Sequence, residues 1–122
     1  MGRPREFDEA RVIGKSKELF ASQGYHGTSL DDLVKATGLL RGSIYKAFGS
    51  KRNLFETSLL TLRDDFDNSP LALDLLTVAL KELANDDVKI SEICRQIVKI
   101  SGNENISELL GKNLLAKMKG QI

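Results

Sequence analysis

The chain has 122 residues, enough for one modest domain or a small head with a partial second unit, and 41% hydrophobic with 29% charged residues places it in the globular range. No apolar run approaches the ~20 residues of a membrane span, and the segment MGRPREFDEA has no apolar stretch behind its basic residues, so cytoplasmic residence is expected and a membrane partner is not. The net charge of +1 hides a segregation: residues 1–52 carry ten basic against six acidic side chains, net +4, and residues 53–122 carry eight against eleven, net −3. An anionic partner for the first part alone would use that asymmetry.

Every clear segment has helical period, and the fold class expected is all-α. Asp8 can cap a first helix that turns Val12, Ile13, Ser16, Leu19 and Phe20 inward, with Gly24 as its terminator. Thr28 is placed to open a second helix, with Asp31 three residues on as an acidic variant of a capping box. Leu30, Leu33 and Val34 then face inward and Gly38 closes the helix.

A short connection around Thr37, Gly38 and Leu39 leads to a third helix in which Leu40, Ile44 and Phe48 recur on one side. The opposite side displays Gly42, Ser43, Tyr45 and Lys46, with Arg41 near the helix start. Two short helices joined by a tight glycine turn, the second with a basic outer face, form the pattern of a helix-turn-helix that lays its second helix in the DNA major groove. Between Leu39 and Phe55 the four cations Arg41, Lys46, Lys51 and Arg52 meet no acid in sequence.

Ser50 can cap a fourth helix running to about Asp67, with Phe55, Leu59, Leu62 and Phe66 on one face. Lys51 and Arg52 at its start oppose the helix dipole, which suggests a phosphate nearby. Asn68, Ser69 and Pro70 mark a boundary, Ser69 as cap and Pro70 at the first helical position. Three further helices are expected, striped by Leu73, Leu76, Ala79, Leu80 and Leu83, by Ile90, Ile93, Cys94, Ile97 and Val98, and by Ile106, Leu109, Leu110 and Leu114. Asn85–Asp87 and Ser101–Asn105 read as the turns between them.

Catalysis has little material. His26 is the single histidine and sits between glycines that suit a turn, Cys94 lies in an apolar helical pattern, and the Gly42–Lys51 stretch has the wrong spacing for a phosphate loop. The chain is therefore read as a non-enzyme, with neither cofactor nor metal. Arg3 and Arg5 flank Pro4 in an arm that either is a disordered tail or reaches along the DNA backbone or into the minor groove.

The stretch from Gly2 to Phe55 closely resembles the DNA-binding head of the TetR/AcrR family of bacterial repressors, through LFASQGY, the GTS entry to the second helix, the ATG turn, GSIYKAF and GSKRNLF. The resemblance implies Thr28, Tyr45 and Lys51 on phosphates and Arg41, Ser43 and Lys46 at base edges, with Gly42 permitting close approach. Arg3, Arg5 and Ser29 complete the candidate DNA contacts. Leu40 departs from the small hydroxyl residue that such heads often carry as a cap. The resemblance further implies a homodimer on a palindromic operator and a small apolar effector. On this reading residues 1–50 are the head, and residues 51–122 are a connecting helix with a shortened regulatory and dimerisation part. Two other classes remain open from the residues: an interaction module that pairs with a longer relative, and a small-molecule-binding helical protein whose head no longer functions.

Overall fold

The structure, a computed structural model, describes residues 7–120, and every regular element among them is helical. In chain order these are α1 Glu9–Gln23, α2 Leu30–Thr37, α3 Arg41–Phe48, α4 Lys51–Asp64, α5 Pro70–Val78 continued by a π turn Ala79–Leu83, α6 Val88–Ser101 and α7 Asn103–Leu115. No helix among the described residues is long and apolar enough to cross a membrane.

The start signals of α1, α4 and α5 act as read. Asp8 accepts from the amides of Ala10 and Arg11 at 3.0 and 3.3 Å, Ser50 from Asn53 at 3.0 Å, and Ser69 from Ala72 at 3.1 Å ahead of Pro70. Gly24 ends α1 and Gly38 ends α2 in a left-handed conformation (φ 78°) that a side chain would resist.

Helix α1 packs on α2, α4 and α5. Its buried Phe20 meets Phe55 of α4 edge to face at 5.0 Å between ring centres. Tyr25, just beyond α1, stacks on Phe20 at 5.9 Å and meets Phe55 edge-on at 5.3 Å. Buried residues run without a break from Phe20, Leu33 and Ile44 through Leu59, Leu75 and Leu76 to Ile93, Ile97 and Ile106, so the helices on both sides of Pro70 share one core. Cys94 is part of it, and burial pushes its thiol up to about 11, away from nucleophilic chemistry.

Several details differ from the sequence expectation, among them Leu114, which is 49% exposed and not part of the apolar stripe expected of α7. The cap of α2 is Ser29, not Thr28, and the reciprocal partner is Asp32, not Asp31. Thr28 is fully buried and donates its hydroxyl back to the Gly24 carbonyl at 2.6 Å, so the next hydroxyl along takes the capping role. Leu40 is 76% exposed rather than inward, because it is the extended cap residue of α3, where helical period has not begun; Leu39 packs on the core in its place. Helix α4 ends at Asp64, three residues short of Asp67. The π turn after α5 leaves Leu80 40% exposed and outside the expected stripe. The turn expected over Ser101–Asn105 shrinks to Gly102 (φ 91°), with helix on either side.

Candidate nucleic-acid interface

The second and third helices are set against each other by contacts that leave one face of α3 open. Arg11 of α1 donates to the Thr37 carbonyl at 3.0 Å, placing a cation on the C-terminal end of α2. Thr37, buried, donates to the Leu33 carbonyl at 2.7 Å and accepts from the Leu39 amide at 3.2 Å, which shapes the turn. Ile44 is the fully buried anchor of α3. With that side fixed, Arg41, Gly42, Tyr45 and Lys46 lie exposed and Ser43 half-buried.

The exposed set divides by partner. Lys46 has no hydrogen-bond or ion-pair partner among the described residues, and Tyr45 is 49% exposed. A Cβ added at Gly42 would meet nothing within 4 Å, so the approach to α3 there is clear. Arg41, by contrast, forms an ion pair with Asp31 at the start of α2. The acid missing from the neighbouring sequence is supplied ten residues upstream by the fold. Ser29 and Asp32 cap α2 through reciprocal bonds of 2.9 and 3.0 Å, and the Ser29 amide with its hydroxyl holds the Asp32 carboxyl below its ordinary range.

The cations at the start of α4 are engaged differently. Lys51 Nζ donates to the carbonyls of Tyr25 and Thr28 at 3.0 and 3.1 Å and lies 4.1 Å from the centre of the Tyr25 ring. Two of its three N–H groups thus tie the α1–α2 connection to α4, leaving one for solvent. Arg52 donates to both carboxylate oxygens of Asp87 at 2.8 and 2.9 Å and pairs with Glu56. That bidentate bond holds Asp87 down at about 2 and raises Arg52 further above its already high value. The expected phosphate at this helix start is therefore replaced, for Arg52, by carboxylates of the chain itself.

The same connection receives a second acid that sequence reasoning missed. Glu82, carried on the π turn, accepts from the His26 amide at 2.8 Å. His26 itself is exposed, its ring edge-on to Tyr25 at 5.2 Å, in keeping with a role in the turn. Thr28, buried and bonded inward, does not present its side chain to a phosphate; its place in the interface is as support for the turn and as an acceptor for Lys51. Arg3 and Arg5 lie outside the described residues.

An open cleft of about 270 Å³ lies at the start of α6, lined by Asp86, Asp87, Val88, Ser91 and Arg95 among others. Its carboxylates and guanidinium do not match a small apolar effector. Among the described residues, no group of three or more His, Cys, Asp or Glu could hold a metal ion.

The profile of the family described as "Bacterial regulatory proteins, tetR family" matches residues 12–57. The HTH-type transcriptional regulator YezE of Bacillus subtilis is 49% identical over 55 residues, which cover 45% of this chain and 28% of YezE. The HTH-type transcriptional repressor ComR of Escherichia coli is 42% identical over 65 residues, covering 53% of this chain and 31% of ComR. The negative transcriptional regulator IcaR of the Staphylococcus aureus biofilm operon icaADBC is 34% identical over 58 residues, 48% of this chain and 31% of IcaR. The matched stretch thus spans under a third of the length of each of these relatives. No solved structure gives a significant match. By profile, by relatives and by the helices just described, residues 12–57 are similar to the helix-turn-helix head of the tetR family of bacterial regulatory proteins.

Proposed function

We propose that the chain is a sequence-specific DNA-binding transcriptional regulator, acting as a repressor, that docks α3 in the major groove of operator DNA. The observation that carries this reading is the open face of α3: Lys46 without a partner among the described residues, Tyr45 exposed beside it and Gly42 clear of any neighbour, on a family-matched helix-turn-helix head. Arg41, Ser43 and Lys46 read base edges in this arrangement, Tyr45 and the remaining N–H of Lys51 contact phosphates, and Ser29 stands at the α2 N-terminus where a phosphate would be held. Thr28 supports these groups from beneath. Arg3 and Arg5 extend the phosphate contacts. ComR and IcaR, named as a repressor and a negative regulator, favour repression over activation.

Binding as a homodimer to a palindrome accompanies this reading. Leu114, Leu115 and Met118 are each about half exposed or more at the end of the chain (49%, 64% and 60%), an apolar surface that a second copy would cover. Two heads would then meet half-sites about one helical turn, or a multiple of it, apart.

Selection of sites from a random duplex pool at two salt concentrations tests the reading. Enrichment of a palindrome with fixed spacing is the expected result, with affinity falling steeply as salt rises. A lone half-site would remove the dimer from the reading, and no enrichment at either salt would overturn it.

A further inference from the structure

One exposed apolar group beside the open face of α3 has no part in the contacts above. Leu40 is 76% exposed and immediately precedes Arg41 and Gly42. It occupies the cap position of α3, yet its side chain makes no capping bond, and its carbonyl alone serves the helix, accepting from Ser43 and Ile44 at 3.0 and 3.1 Å. A hydroxyl or carboxamide there would satisfy another amide and would not leave an isobutyl group in water. The neighbouring Leu39 already supplies the contact with the core, so packing gives no reason for a second leucine.

Position supplies the reason that stability does not. The residues at the start of a recognition helix come nearest the base edges. In the major groove, the feature an alkyl side chain recognises is the C5-methyl group of thymine, because the other edges offer only hydrogen-bond donors and acceptors. We propose that Leu40 is a specificity-determining residue that packs on a thymine methyl, one base pair in each half-site, beside the position read by Arg41. This inference rests on the docking of α3 in the major groove. Gly42, two residues on, adds no bulk beside Leu40, since even a Cβ there would meet nothing within 4 Å.

Deoxyuridine substitution tests it, since replacing thymine by uracil deletes the methyl and keeps base pairing. The full chain and its Leu40→Ser variant are titrated against the selected duplex and against duplexes with single thymines replaced, and both proteins are melted. The full chain is expected to lose about fourfold in affinity at one substituted position per half-site, the worth of one buried methyl group. Leu40→Ser is expected to bind parent and substituted duplexes equally and to melt no lower, because serine suits the cap. Insensitivity of the full chain to every substitution overturns the role of Leu40 and leaves DNA binding standing. An equal loss in both proteins assigns the methyl to another residue and also overturns it. Failure of the full chain to prefer any sequence overturns the docking reading, and this inference with it.

Discussion

Arg41 and Lys46 on α3, and Lys51 and Arg52 on α4, look alike in sequence: two pairs of cations a few residues apart in a stretch without acids. The fold treats them in opposite ways. Lys46 stands exposed and unpaired among the described residues, and Arg41 is held only by an exposed pair with Asp31, the two side chains 53% and 72% exposed. Lys51 and Arg52 are half-buried, one on two backbone carbonyls and an aromatic ring, the other on two carboxylates. A cation becomes available to DNA when the fold leaves it without partners, and the local run of charge does not reveal which ones those are. Lys51 and Arg52 hold the platform, and the α3 cations are presented by it.

The largest test of that division is Lys51→Met, which keeps the alkyl stem on Tyr25 but removes the donors from the Tyr25 and Thr28 carbonyls. A loss of about 2 kcal/mol in urea unfolding is expected, since charge-assisted bonds to partly buried carbonyls are lost together. Unchanged stability would place Lys51 with the α3 cations. Lys46→Ala should give the reverse: an unfolding midpoint within error of the parent, as for most exposed positions, and a roughly tenfold weaker complex with the selected duplex. If Lys46→Ala unfolds more easily and binds equally well, the division fails from the other side.

Arg52→Ala is expected to cost about 1 kcal/mol, discounted for the partial exposure of the pair, and its effect carries a pH signature. Asp87 is held at about 2 against an ordinary 3.8, chiefly by the Arg52 hydrogen bonds. A carboxyl lowered on folding stabilises the folded state above its unfolded value, and that contribution disappears as pH falls through the folded value. The stability gap between parent and Arg52→Ala should therefore be fully open above pH 4 and narrow as pH drops toward 2. A gap that does not change over that range would mean that Asp87 is not the partner that matters. Glu82→Gln, which weakens the acceptor for the His26 amide, is the milder version of the same experiment, at under about 1 kcal/mol by melting.

How much of this was legible beforehand follows from the range over which each interaction acts. Caps and terminators are decided within a turn of the chain, and Asp8, Gly24, Gly38, Ser50, Ser69 and Pro70 behave as their residue types require. Ambiguity entered where neighbours carry the same signal. Thr28 and Ser29 are adjacent hydroxyls followed at equal spacing by Asp31 and Asp32, and Leu39 and Leu40 are adjacent leucines; burial of Thr28 and Leu39, a tertiary matter, decides both. The apolar stretch from Leu71 to Leu83 has a leucine in almost any register, so nothing local announces the π turn that carries Glu82 to the α1–α2 connection. Of the two partners of Arg52, Glu56 follows the i,i+4 spacing of a helix, whereas Asp87 is 35 residues distant, beyond any spacing rule. Of the candidate site, the open face of α3 was readable from helical period, whereas the pairing of its cations was not.

Asp31→Asn probes the smallest term and the one that connects the two regions. Both partners of the Arg41–Asp31 pair are exposed, so the pair contributes under about 0.5 kcal/mol to folding, and the change should leave the melting temperature nearly unaltered. In the proposed complex, however, a carboxylate beside the phosphate backbone would be repelled, and Arg41 would have to leave its partner to reach a base. Removing the acid should therefore strengthen DNA binding about twofold at low salt, with the gain fading as salt screens the same pair in the free protein. The alternative is that Asp31 aims the guanidinium, fixing one orientation of the fork in advance. In that case Asp31→Asn would not strengthen binding; it would relax preference at the base pair that Arg41 reads, the signature of a positioning residue. The two outcomes differ in sign as well as size, so one salt titration of parent and variant on matched and single-mismatch duplexes separates a restraint on Arg41 from a guide for it.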